Sequence, residues 1–396
     1  VQTDSSEATA DSKLALIKRE YPPYKDSTYL NSGSCGRKPE SVLAALEEGW
    51  RRLNHNPTYT TFLDPEPRTI ARNAAAAMLG VDAKCLLLTH NTTTGLQLLM
   101  ASFLAHPGDE LVTTNQEHGS VNSIARYLEE TKGIVVRKHT IDPYVGSEEF
   151  VLGLLSKVTE KTKLVVVSEI GCFTGWRPDL SYLIQGLEML DVPLLVDGAH
   201  SPGNGRCNPS RYPMWVGSGH KWLGGPNGTG FAYVAPHLVP WLEPVNIGDK
   251  YFEMKEADVD DITRFESLGT TDVVRWYGLA RACQLQMELG LDFVKSKQVK
   301  LMRYVREKID EVLGAQFRTP DLSDEESTGM VTFLFPQERL IVEDLRESLW
   351  KEYRIWVQPD FINVANPGHG MRISCHINNT EDDINALVEA ISSFVL

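Results

Sequence analysis

Between Leu86 and Val234 the chain alternates short apolar runs with helical spacing, and this pattern constrains the fold more than any other feature. The runs are Leu86–Thr89, 110–113, Val135–His139, 163–168, 193–196, 214–217 and 231–234. Between the first five lie helical stretches at 93–104, 120–131, 148–158 and 180–190. Leu164-Val165-Val166-Val167 is apolar on both faces of a strand. A strand with no polar face must be covered on both sides. Strand–helix alternation over such a length predicts an α/β fold, with a mostly parallel seven-stranded sheet and helices on both faces.

The flanks read differently. Residues 1–12 are small and polar and are expected to form a flexible tail. Residues 13–60 hold a short helix from Leu14 to Arg19, a strand entering the glycine-rich turn after Leu30, and a helix over 41–53, and Asn56-Pro57-Thr58-Tyr59 breaks the pattern. A helix over 67–79 ends at Gly80. After Trp241 come helices over 279–289, 294–313 and 381–394, and strands over 331–335, 355–357 and 371–374. The expected division is a large domain over 61–245 and a smaller α+β domain over 246–396, with 13–60 packing on the latter.

Ligands of such sheets bind beyond the carboxyl ends of the strands, and four motifs fall there. Asn91-Thr92-Thr93-Thr94-Gly95 opens a helix, where free N–H groups and hydroxyls suit an anion; a plain helix cap reads equally well. Glu117-His118-Gly119 offers an imidazole for ring stacking or proton transfer, or simply a loop histidine. Asp197-Gly198-Ala199-His200 follows the apolar Leu194-Leu195-Val196. A carboxylate at that rim needs a partner, and a protonated pyridine nitrogen suits it; a helix cap is the plain alternative. Ser218-Gly219-His220-Lys221-Trp222 precedes the glycine-rich 224–230. A lysine between buried stretches becomes an amine nucleophile, whereas on an open loop it is only a surface charge. Together the four supply a phosphate cradle, a ring partner, a pyridinium partner and an imine lysine, as pyridoxal 5′-phosphate chemistry requires.

Composition narrows the function classes. The net charge of −14 disfavours nucleic acid or an anionic membrane as partner. No apolar run approaches the ~20 residues of a membrane span. The six cysteines lack metal-type spacing and read as free thiols in a reducing compartment. The cytoplasm is the expected location. The chain begins at Val1, which leaves an upstream leader open.

These residues resemble fold-type I pyridoxal-phosphate enzymes of the aminotransferase class V family, most closely isopenicillin N epimerase-like proteins and cyst(e)ine C–S lyases. The matching stretches are 29–34, 91–95, Glu117-His118, 197–200, 220–222 and Arg372-Ile373-Ser374. The resemblance implies that Lys221 forms the imine and moves the α-proton. It implies that Asp197 pairs with the ring nitrogen, His118 stacks on the ring and His200 faces the 3′-oxygen. It places Thr92, Thr93, Thr94, Ser218 and His220 around the cofactor phosphate. Thr270 would reach the phosphate of a neighbouring subunit, so a homodimer is implied. Arg372 would bind the α-carboxylate of an amino-acid substrate, with Asn31 and Ser32 beside it.

Two departures are informative. The loop from Gln358 to Met371 has no cysteine, whereas cysteine desulfurases carry their nucleophile there. Cys375 is expected on a strand, badly placed for a substrate thiol. Cys172 stands about where desulfurases have an asparagine, and reads equally as a packing residue. The reaction expected first is β-elimination at sulfur. Epimerisation, transamination and bond-forming biosynthesis stay open, and intact Lys221 and Asp197 argue against a non-catalytic relative.

Overall fold

Apolar strands need two covering layers, and the computed structural model provides them. It describes residues 9–24, 26–141, 146–266, 269–335, 342–359 and 370–395. Among these, seven strands form the large sheet: β1 (Leu86–Thr89), β2 (Glu110–Thr114), β3 (Val135–His139), β4 (Thr162–Ser168), β5 (Leu194–Gly198), β6 (Met214–Ser218) and β7 (Gly230–Val234). Their order is β1-β7-β6-β5-β4-β2-β3. Only β7 runs against its neighbours, β1 and β6; the other pairs are parallel.

The two-residue period of a strand divides β4 between two cores. Val165 and Val167 face the side that packs Leu183 and Leu187 of helix Ser181–Met189. Leu164 and Val166 face the side that packs Leu99 of helix Thr92–Phe103 and Leu128 of helix Gly119–Lys132. The edge strand β3 is polar and largely exposed, and Arg137 on it pairs with Glu110 at 2.7 Å. A charged edge discourages pairing with another sheet.

A second, antiparallel sheet joins Gln316–Phe317, Met330–Leu334, Gly370–Ser374 and Gln358–Pro359. Helices Leu291–Leu313 and Glu381–Val395 cover it, burying Val305, Ile309, Leu387 and Ile391 with Phe333 and Ile373. The N-terminal segment is tied to this unit. Thr28–Tyr29 pairs parallel with Ile355–Trp356, and Asn31 bridges to Ser374. Those contacts deliver the turn after Asn31 to the carboxyl end of the large sheet.

Several elements differ from the sequence reading. The first helix starts at Ala10, inside the expected tail, because the Thr9 hydroxyl accepts from the Ser12 amide and caps it. The break near Tyr59 is a π-helical turn, Tyr59–Leu63. Helices Tyr251–Ala257 and Val342–Tyr353 are additional to the elements read from the sequence. The helix expected from Leu279 begins at Val274, and its Trp276, Leu279 and Cys283 enter the core of the large sheet. Among the described residues no helix is long and apolar enough to cross a membrane.

Candidate active site

The carboxyl ends of β4, β5 and β6 open into one cavity of about 520 Å³. Asp197 is the fourth residue of β5 and lies beside Ser168 of β4 and Val216 of β6. Its Oδ1 accepts the Ala199 amide at 2.9 Å. Burial raises the Asp197 carboxyl above its ordinary range, opposed by that amide and by the charges of Lys221 and His118. A desolvated carboxylate of this kind is relieved by a cationic N–H partner.

Lys221 is carried on the turn between β6 and β7. The Gly219 amide donates to Thr229 O and the Gly225 amide to Gly219 O, which folds the turn back on itself. Gly224 adopts φ +72°, a left-handed conformation that glycine reaches without strain. Burial lowers the Lys221 ammonium below its usual range, against the attraction of Asp197. Its Nζ lies 3.1 Å from His200 Nε2.

Hydroxyls crowd the start of helix Thr92–Phe103. Thr92 Oγ1 and Ser218 Oγ are 2.7 Å apart, and Thr93 Oγ1 and Ser120 Oγ 2.8 Å. His118 Nδ1 accepts the Ser120 amide at 3.1 Å, so a neutral ring carries its proton on Nε2. Burial lowers the His118 and His220 imidazoles below their ordinary range. Arg372, on strand Gly370–Ser374, donates from Nη1 to Cys172 O at 2.7 Å. Its Nη2 donates to Asn31 Oδ1 at 3.1 Å and to Ser34 Oγ at 3.0 Å.

The structure brings Lys221, Asp197, His118, His200, Thr92, Thr93, Ser218, His220 and Arg372 to this one cavity. Other expected residues lie off its lining. Thr94 faces its own helix end: its amide donates to Asn91 Oδ1 and its hydroxyl meets the Asn91 amide. Ser32 is buried, with its amide on Ser374 O. Asn31 acts one step back, by holding Arg372. Thr270 is exposed and away from the cavity of its own chain. Ser34, Ser120, Ser168 and Asn227 also line the cavity, with no individual role assigned to them by the sequence. Ser120 had a signal, since it sits two residues after His118; Asn227 had none beyond its glycine-rich context.

The thiols separate by burial. Cys172 lines the cavity, and burial pushes its thiol up to about 12. Cys375 is fully buried, its thiol raised well above the ordinary range. Of the cysteine-free loop after Gln358, residues 360–369 lie outside the described residues.

The residues present fit pyridoxal 5′-phosphate. A helix N-terminus with Thr92, Thr93, Ser218 and Ser120 suits a phosphate dianion. The desolvated Asp197 suits a pyridinium N–H, and the Lys221 amine suits an aldehyde.

Comparisons with known proteins agree. The family model described as aminotransferase class-V matches residues 28–387. The chain is 27% identical to isopenicillin N epimerase of Streptomyces clavuligerus over 92% of its own length and 94% of that protein's. It is 24% identical to a probable cysteine desulfurase of Ureaplasma parvum, over 93% of its length and 94% of the relative's. Among solved structures, the cystine C–S lyase C-DES bound to cysteine persulfide superimposes with a TM-score of 0.82 at 23% identity, covering 93% of this chain and 98% of that one. The apo cysteine desulfurase of Thermococcus onnurineus gives 0.83 at 21% identity, covering 96% and 97%.

Proposed function

The chain belongs to the aminotransferase class-V family and is a pyridoxal-phosphate enzyme, and from that premise we propose that it breaks the C–S bond of an S-substituted cysteine by β-elimination. The bound cofactor supplies an aldehyde that condenses with amines and a ring that withdraws electrons from Cα. Thr92, Thr93, Ser218 and His220 hold its phosphate. Asp197 would pair with the ring nitrogen and favour its protonated form, which withdraws electrons. His118 would stack on the cofactor ring and His200 would face its 3′-oxygen. Arg372 grips the substrate α-carboxylate with two N–H groups, a geometry suited to guanidinium. Lys221 removes the Cα proton; burial, which lowers its ammonium below the usual range, favours the amine that acts as base. The electron pair of the Cα–H bond then forms the Cα–Cβ double bond as sulfur leaves Cβ with its own pair. The aminoacrylate released takes up water to give pyruvate and ammonia.

One observation carries this reading: an amine base and a guanidinium share one cavity. The guanidinium fixes the substrate and the amine takes its proton, and elimination requires no second base. Cys172, held as a thiol, is a poor acceptor of sulfur. The sulfur therefore departs on its substituent, and a disulfide or sulfoxide leaves more readily than a plain thiolate. Thr270, exposed and outside its own cavity, is assigned to the phosphate of the partner in a homodimer.

Epimerisation at Cα is the second reading, favoured by the 27% identity to isopenicillin N epimerase. A pyruvate assay with cystine and several S-substituted cysteines separates the two, with Lys221→Ala as control. Elimination predicts pyruvate and ammonia in equal amounts. If no pyruvate forms, while an amino acid exchanges its α-proton in deuterated water and inverts, the lyase reading is lost to epimerisation.

A further inference from the structure

Trp222 follows Lys221 and is fully buried. Its indole packs with Ile170 and Met330, between the two sheets. Gly329 lies against it so closely that a Cβ there would be 2.6 Å from indole Cζ3. The Trp222 carbonyl is held by His376 Nε2 at 2.6 Å. The indole therefore has one position, and its N–H points at His200 Nδ1, 3.2 Å away.

An indole N–H can only donate, so His200 Nδ1 must present its lone pair. Burial pushes the His200 imidazole well below its ordinary range, and the fixed charge of the Arg372 guanidinium acts in the same direction, so the ring is neutral. A neutral ring with a bare Nδ1 carries its proton on Nε2. That Nε2–H faces Lys221 Nζ at 3.1 Å. An ammonium has no lone pair to receive it, whereas a free amine has one. A single proton assignment satisfies all three groups: indole N–H to Nδ1, Nε2–H to an unprotonated Lys221.

We propose that Trp222 is a positioning residue which, by fixing the tautomer of His200, holds Lys221 as the free amine that attacks a carbonyl. The inference rests on the reading of Lys221 as the imine lysine. Other groups face the same amine: burial and Arg372 oppose the ammonium, whereas Asp197 favours it, and the Cys172 and Cys35 sulfurs would do so only as thiolates. The Trp222–His200 pair adds to the first set. Without the indole, His200 is free to turn its lone pair toward Lys221 and accept from an ammonium, so the lysine pKa rises.

Two measurements on the cofactor-free protein test this. Two-bond ¹⁵N–¹H spectra of ¹⁵N-histidine-labelled protein should show His200 protonated on Nε2 alone, and Trp222→Phe should abolish that preference. Reductive alkylation of Lys221 by a small aldehyde, followed by peptide mass spectrometry across pH, should give a midpoint about one pH unit higher in Trp222→Phe, or about tenfold less free amine at a fixed lower pH. His200→Leu should shift the midpoint in the same way and serves if Trp222→Phe does not fold. His200→Gln should keep the wild-type midpoint, because its amide accepts from the indole and donates to the amine. A His200 protonated on Nδ1 in the wild type overturns the proposal, as does an unmoved Lys221 midpoint in folded Trp222→Phe or His200→Leu. Failure of the imine reading shows separately: borohydride would then attach no cofactor to wild-type Lys221, whatever the tautomer.

Discussion

The Gly36 amide donates to the His220 carbonyl at 2.8 Å, which ties the N-terminal segment to the turn that carries Lys221. The approach leaves no space for a side chain. A Cβ on residue 36 would lie 2.0 Å from the Lys221 carbonyl oxygen, a backbone atom unable to step aside. Gly36→Ala should therefore displace the turn and cost about 1–3 kcal/mol, the usual penalty of overpacking. Thermal unfolding with and without cofactor checks this, and the loss should be larger with cofactor bound. An unchanged midpoint would mean that the segment is loosely docked.

Lys221→Ala should fold but lose the borohydride-reducible absorbance of the bound cofactor. Turnover should fall by roughly 10³-fold, within the range lost when a positioned base is removed. Retained turnover at the wild-type rate would remove Lys221 from the mechanism.

Arg372→Lys keeps the charge but cannot reproduce three directed N–H bonds to Cys172 O, Asn31 Oδ1 and Ser34 Oγ. We expect kcat/KM to drop about tenfold to a hundredfold, the worth of hydrogen bonds to a charged group. The loss should fall on substrates that carry an α-carboxylate and spare the corresponding amines. Equal losses on both would assign Arg372 a purely structural role.

The legible parts of this chain were those where one residue type has one physical solution. Leu164-Val165-Val166-Val167 has to be covered on both faces, and it is. Asp197, at the end of such a strand, has to meet a ligand or a partner, and it opens into the cavity. Hydroxyl residues are harder, because their role depends on turn geometry that spacing does not reveal. Thr92 and Thr93 face the cavity, whereas Thr94, one residue on, caps its own helix. In the turn after Leu30, Ser34 lines the cavity and Ser32 does not, because Ser32 is held in line with Ser374. The Trp222–His200–Lys221 alignment joins neighbours in sequence to a residue of another strand end, so it becomes visible only in three dimensions. The helix Val342–Tyr353 had a readable signal, since Val342, Leu345 and Leu349 recur at helical spacing and are all buried.

Asp197→Asn should keep the Ala199 amide bond, because its side-chain oxygen remains. The charge that holds the ring nitrogen protonated is lost, so α-proton exchange should slow at least about tenfold. The same change removes an attraction that favours the Lys221 ammonium. The alkylation midpoint of Lys221 should therefore move down, opposite in sign to the shift expected for Trp222→Phe. An upward movement would mean that Asp197 does not act on Lys221 through its charge.

Glu117 gives a test at the level of stability. It is fully buried beside His118 and accepts from Thr114 Oγ1 at 2.7 Å and Ser168 Oγ at 2.6 Å. Burial raises its carboxyl to about 7, assisted by the nearby Asp197 charge and opposed by the two hydroxyls. The folded protein thus binds this proton more tightly than the unfolded chain, whose carboxyl titrates near 4.5. Where the native state holds the extra proton, stability falls as pH rises. The window runs from about 4.5 to about 7, and the loss across it is on the order of 3 kcal/mol. Glu117→Gln removes the titration while keeping an oxygen to accept and an amide that the rotatable hydroxyls can meet. Urea unfolding of both proteins at pH 5 and pH 8 isolates this group, because all other titrations occur in both. The variant should gain on the wild type between the two pH values. A stability difference that is the same at both pH values would show that Glu117 titrates normally.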